Sequence, residues 1–177
     1  LAPAAPEALA PALRALADEG TQFVFVGQGE GRFRQALAER ASAAPHRIAA
    51  RFDFGDALEH LLLAGADLCL MPSSYEPCGL TQMRAQRYGT IPVAHRIGGL
   101  ADTIEHGVTG FLFAPYTTEA LDGAMALALA HFAQPATWRR IVGAAMARDF
   151  GWKRSVAEYA AAYDKAVARR GTRPPDG

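Results

Sequence analysis

Two periodicities alternate along the first two thirds of the chain. Gln22-Phe23-Val24-Phe25-Val26 is a short β-rich apolar run ending at Gly27, and it reads as a buried strand. Arg47-Ile48-Ala49-Ala50-Arg51-Phe52 is a weaker strand, Asp67-Leu68-Cys69-Leu70-Met71 a third, Ile91-Pro92-Val93-Ala94 a fourth and Gly110-Phe111-Leu112-Phe113 a fifth. Helical spacing fills the gaps. Leu9, Leu13 and Leu16 share a face before Gly20; Phe33, Leu37 and Arg40 follow the first strand; Leu58, Leu61 and Leu62 follow the second. Residues 82–88 form a further helix that Gly89 can end as a left-handed cap. Strand–helix alternation with short connections predicts a doubly wound, Rossmann-like parallel α/β sheet over residues 1–117.

Beyond residue 117 the pattern is wholly helical. Residues 119–132 form one Ala/Leu-rich helix, and Pro135 opens a second in which Trp138, Ile141 and Val142 recur. Phe150-Gly151-Trp152 breaks the run before a third helix over 155–167. Residues 118–168 are thus expected as C-terminal helices packing on the sheet, and the polar, proline-containing stretch 169–177 as a disordered tail.

Composition narrows the function. The 177 residues are 50% hydrophobic and 20% charged, with 18 basic and 18 acidic side chains that cancel. No global field would recruit nucleic acid or an anionic membrane, so neither is expected as a partner. No stretch nears the roughly 20 apolar residues of a membrane span. The Ala/Pro-rich start lacks the basic and apolar regions of a signal peptide, so a reducing cytoplasm is expected. Two cysteines, Cys69 and Cys78, are too few for a zinc cluster or a disulfide framework.

In doubly wound sheets ligands bind beyond the carboxyl ends of the strands. That rule selects four loops: 27–31, 53–56, 72–80 and 96–102. The third, Pro72-Ser73-Ser74-Tyr75-Glu76-Pro77-Cys78-Gly79-Leu80-Thr81, sets one carboxylate ahead of a helix. The N–H groups of Gly79, Leu80 and Thr81 would be unpaired first-turn donors, an anion site suited to phosphate, to which Thr81 adds a hydroxyl. The bland alternative is an ordinary strand–helix loop capped by Ser or Thr. Gly27-Gln28-Gly29-Glu30-Gly31 resembles a fragment of a dinucleotide-binding turn, a weak signal equally compatible with a plain glycine turn. Gly98-Gly99 gives the fourth loop backbone freedom, and Asp102 can cap a helix starting near Thr103.

Other residues earn plainer readings. His46, His60, His95, His106 and His131 show no metal-ligand spacing and are expected mostly at the surface. Trp138 and Trp152 fit the helical core better than a stacking platform. Cys69 fits a buried small hydrophobe. Cys78 stands at a helix N-terminus, where a thiol pKa falls, but no histidine is placed beside it.

These blocks carry a family resemblance. Met71-Pro72-Ser73, Glu76-Pro77-Cys78-Gly79-Leu80-Thr81-Gln82, Arg87-Tyr88-Gly89-Thr90-Ile91-Pro92-Val93 and Gly98-Gly99-Leu100-Ala101-Asp102-Thr103 occur in this order, followed by Thr109-Gly110-Phe111 and Asp149-Phe150-Gly151-Trp152. Together they resemble the C-terminal domain of bacterial glycogen synthases and plant starch synthases over residues 20–165. The resemblance implies the C-terminal half of a GT-B fold, with an ADP-glucose donor bound by this half. It further implies that Glu76 contacts the donor glucose and supports positive charge at the anomeric carbon. The amides around Gly79, Leu80 and Thr81 would hold the distal phosphate, and Phe54 would stack on adenine. Gly99 and its neighbour Gly98 would border the sugar pocket, with Gly27, Gly29, Ser73 and Cys78 completing the candidate donor set. The implied reaction needs no metal or cofactor, and transfers glucose with retention to the non-reducing end of an α-1,4-glucan.

Two departures accompany the resemblance. Related transferases place a second glutamate after seven intervening residues, where this chain has Arg84. The family's Arg-Leu-Thr-x-Gln-Lys-Gly segment is expected ahead of residue 1, together with a central strand and the N-terminal domain that holds the glucan acceptor. On that basis the isolated chain is expected to be inactive. The competing functions are another GT-B nucleotide-sugar transferase, or a non-catalytic module binding nucleotide, glucan or protein. The Glu-Pro-Cys-Gly-Leu block argues against the former, because such relatives usually carry a Glu-Gly-Phe-Gly type loop.

Overall fold

A computed structural model describes residues 20–53 and 55–171. The helix read from Leu9, Leu13 and Leu16, and the last residues of the expected tail, lie outside the described residues. The chain divides into two units, Leu1–Ala147 and Arg148–Gly177.

In the first unit the elements alternate as the pattern predicts. β1 (Phe23–Val26) leads to α1 (Gly31–Ala43), then β2 (Ile48–Arg51), α2 (Asp56–Gly65) and β3 (Leu68–Met71). α3 (Thr81–Tyr88), β4 (Ile91–His95), α4 (Gly98–Thr103) and β5 (Phe111–Phe113) follow, and α5 (Thr118–Phe132) and α6 (Pro135–Met146) complete the unit. All strand pairings are parallel, as crossover helices require. The strands form two ladders, β1–β2 and β3–β4–β5. The central strand expected from the resemblance is not among the described residues.

β4 is the axis of the packed half, with all five residues buried. Successive side chains of a strand point to opposite faces. Ile91 and Val93 join Phe111, Phe113, Leu121, Met125, Ala128, Ile141 and Ala145 in one cluster, so α5 and α6 cover that face. Ala94 packs with Leu100, Ile104 and Leu112, so α4 covers the other. Each fully buried aliphatic or aromatic side chain contributes about 1.5–3 kcal/mol. Thr90, just before β4, donates its hydroxyl to the carbonyls of Leu63 and Ala66, which ties the end of α2 to the sheet. Gly89 caps α3 at φ 84°, the left-handed conformation its sequence position predicts.

One helix differs from its expected place. α4 starts at Gly98 and stops at Thr103, so Asp102 lies in its last turn and caps nothing. The Gly-Gly pair, read as loop, is the helix start itself.

In the second unit α7 (Trp152–Gly171) begins three residues earlier than expected and runs past residue 169. Trp152, Val156, Tyr159, Tyr163 and Val167 are exposed along it. Among the described residues no helix is long and apolar enough to cross a membrane.

Candidate functional site

The site grows from the end of β3. Pro72 is buried, and its carbonyl accepts a hydrogen bond from Tyr116 Oη at 3.0 Å. The next carbonyl, that of Ser73, accepts from His95 Nδ1 at 2.9 Å. His95, expected at the surface, is instead buried, with its ring against Phe113 and Tyr116. The signal was its register: it shares a strand face with Ile91 and Val93, which point into the core. Ser73 therefore serves the loop through its backbone.

Glu76 follows and is 8% exposed. Among the described residues no hydrogen bond or ion pair reaches its carboxylate. Its carbonyl is occupied, accepting from the N–H of Gly99 at 3.1 Å. This contact explains the glycine pair by steric approach more than by freedom. A Cβ on Gly99 would stand 2.0 Å from the Cys78 carbonyl oxygen, and one on Gly98 2.1 Å from that of Glu76. Gly98 also takes φ +45°. The 72–80 loop thus lies directly on the start of α4, and only glycine lets the two backbones meet.

Past Cys78, Gly79 turns the chain at φ 72° into α3. Leu80 occupies the N-cap position and offers no side-chain cap, which removes the ordinary Ser/Thr-capped reading. Among the described residues the N–H groups of Gly79, Leu80 and Thr81 have no acceptor. They and the helix dipole form a small patch of positive potential in the same loop as the unpartnered Glu76. Gln82, fully buried, holds the turn from behind: its Nε2 donates to the Cys78 carbonyl at 2.8 Å, the Gly79 carbonyl at 3.0 Å and Thr103 Oγ1 at 3.2 Å.

The Thr81 hydroxyl does not join that patch. It donates to Glu59 Oε1 at 2.7 Å, so the reading of Thr81 as a hydroxyl donor toward phosphate is corrected to its N–H alone. Glu59 is 8% exposed and its other oxygen accepts from Arg84 Nη1 at 2.6 Å. Arg84 Nη1 also reaches Asp56 Oδ1 at 3.0 Å. Arg84 is therefore turned onto α2, and the bond it donates to Asp56, then the charge of Glu59, push its pKa up. Sequence reading missed Glu59, although a carboxylate four residues before buried Leu63 on the inward stripe of α2 marks it.

Gly27 donates its N–H to the Arg51 carbonyl at 3.2 Å and so continues the β1–β2 ladder, and Gly29 follows in an exposed loop with open space where a Cβ would stand. Phe54 lies outside the described residues. Cys78 is exposed, its Sγ 3.7 Å from the Gly79 carbonyl oxygen. Desolvation, with the Glu59 charge adding to it, pushes the Cys69 thiol up to about 12, which keeps it protonated and inert. Among the described residues no three His, Cys, Asp or Glu side chains gather as a metal site would require.

Comparison with known proteins matches this geometry. The family profile "Glycosyl transferases group 1" matches residues 6–140. The chain is 47% identical over 160 residues to a glycogen synthase of Anaeromyxobacter dehalogenans, covering 88% of this chain and 34% of the relative. It is 44% identical over 154 residues to a glycogen synthase of Pseudomonas fluorescens, covering 87% and 32%. Among solved structures, the catalytic domain of starch synthase IV from Arabidopsis thaliana, bound to ADP and acarbose, superposes with a TM-score of 0.79 at 28% identity. That match covers 92% of this chain and 36% of the other. The chain thus spans about a third of the length of the relatives it matches. Motif order, parallel fold and identity agree: the chain belongs to the group 1 glycosyl transferases, and its relatives within them are glycogen and starch synthases.

Proposed function

We propose that the chain is the donor-binding part of a glucosyltransferase that uses ADP-glucose to extend an α-1,4-glucan with retention, in the cytoplasm. The observation that carries this reading is Glu76. The Glu76 residue is 8% exposed, and among the described residues no protein donor engages its carboxylate, which leaves that charge available to a ligand. Beside it, the unpaired N–H groups of Gly79, Leu80 and Thr81 suit the diphosphate of a nucleotide sugar. Glu76 would support positive charge developing at the anomeric carbon while those amides take up charge on the departing diphosphate, without a metal ion. Both effects act on charge that appears only in the transition state, which is how binding groups raise turnover. Phe54 is proposed to stack on adenine, and Gly98 and Gly99 to border the sugar. The acceptor glucan would be held by a partner domain beyond the chain described here, so this chain alone would bind donor without turning it over.

Titration calorimetry of the chain with ADP, ADP-glucose and UDP-glucose tests the binding half of the proposal. Selective binding of the two adenine ligands is expected. Absence of heat at about 1 mM ligand, where a site worth about 4 kcal/mol is half filled, overturns donor binding by this chain. Equal binding of UDP-glucose overturns the nucleotide preference. In a protein of the relatives' full length, Glu76→Gln is expected to cut turnover by about 10²–10³-fold, and near-normal turnover would remove Glu76 from the reaction.

A further inference from the structure

Resting on the donor-binding reading, we infer that Glu59 and Arg84 form a charge-compensated strut that positions the phosphate-binding end of α3 and sets the affinity for the donor diphosphate. The argument starts from one carboxylate with two donors. Glu59 stands in the first turn of α2, and its oxygens accept from Thr81 Oγ1 at 2.7 Å and Arg84 Nη1 at 2.6 Å. Thr81 and Arg84 are three residues apart in α3, so they lie on one face of its first turn. Thr81 is also the first residue of α3, and its unpaired N–H is one of the proposed phosphate donors. The strut therefore fixes the phosphate end of α3 to the start of α2.

The arrangement carries an electrostatic problem and its solution. Glu59 is an anion one side chain away from a site meant for anions, and at 8% exposure water screens it poorly. Alone it would oppose the diphosphate. Arg84 cancels it with a 2.6 Å contact on the same carboxylate and retains a second anchor on exposed Asp56. Arg84 thus stands where related transferases carry a glutamate, but its guanidinium serves the back of the phosphate site and not the sugar. It is a positioning residue.

The test compares ADP with adenosine, which shares the base and ribose but carries no phosphate. In calorimetry on the 177-residue chain, Arg84→Gln is expected to weaken ADP about tenfold, the order of effect when a poorly screened carboxylate near a bound anion loses its cation. Adenosine binding should not change. Glu59→Gln keeps an acceptor for Thr81 without the charge, so the double variant Glu59→Gln/Arg84→Gln should recover most of the lost ADP affinity. Unchanged ADP binding in Arg84→Gln overturns the strut and leaves donor binding standing. Equal losses for ADP and adenosine, without recovery in the double variant, also overturn it, because a merely structural pair would act that way. Failure of the unaltered chain to bind ADP overturns the donor reading, and this inference with it.

Discussion

The β1–β2 ladder and the β3–β4–β5 ladder share a topology but not a quality of packing. No described residue from 20 to 53 is buried, and α1 contributes none to a core. β4 and β5, by contrast, are buried throughout and enclosed by helices on both faces. Each half carries a glycine-bearing loop at the carboxyl end of a strand. Gly27 and Gly29 border open space, whereas Gly98 and Gly99 are pressed onto the backbone of the Glu76 loop. The contrast teaches that a glycine motif acquires meaning from what it lets approach. On the packed half, glycine is required by contact, and the contact builds a site. On the open half the same residue type presses on no neighbouring backbone.

Substitutions in matched pairs sharpen or break this contrast. The largest effect is expected in the cores. Phe111→Ala should cost about 3–5 kcal/mol in urea unfolding, while Phe25→Ala, from a half-buried position in β1, should cost no more than about 1.5 kcal/mol. Equal costs would mean that the two halves are built alike. Next come the glycines. Gly99→Ala forces the Cys78 carbonyl to move and should cost about 1–3 kcal/mol, together with loss of ADP binding. Gly29→Ala, with nothing within 4 Å, should stay within about 0.5 kcal/mol and leave ADP binding intact.

Smaller still is the expected response to Glu76→Ala. Removing a carboxylate that no protein donor engages among the described residues should leave the melting temperature within about 2 °C of the parent. A fall of many degrees would make Glu76 a structural residue. The smallest effect lies on the open half. Arg51 Nε and Nη2 donate to Asp53 at 2.9 and 2.6 Å, and that hydrogen bond foremost lowers the exposed Asp53 carboxyl to about 2. Because the folded value lies below the unfolded one of about 3.9, the contribution to stability is present above that pH and is lost as pH falls through about 2. Nuclear magnetic resonance titration should find the Asp53 carboxyl near the lower value in the parent and close to its ordinary value in Arg51→Ala. No difference between the two would dissolve the pair.

The sequence by itself determined the order of elements, the parallel architecture and the family, because these depend on local periodicity and on contiguous blocks. Apolar runs of four or five residues ended by glycine or proline place strands wherever they occur. The Glu-Pro-Cys-Gly-Leu block names its own relatives. Only the tertiary structure decided what reaches what. It set Arg84 on Glu59 and Asp56, gave the Thr81 hydroxyl to the same Glu59 carboxylate, and brought His95 under Ser73. It also moved the start of α4 to Gly98, where the glycine pair meets the Glu76 and Cys78 carbonyls. These partners lie 21 to 28 residues apart along the chain, beyond any local period. Their pairing is fixed by how far neighbouring helices and strands stand from one another, and that distance is set by the whole core.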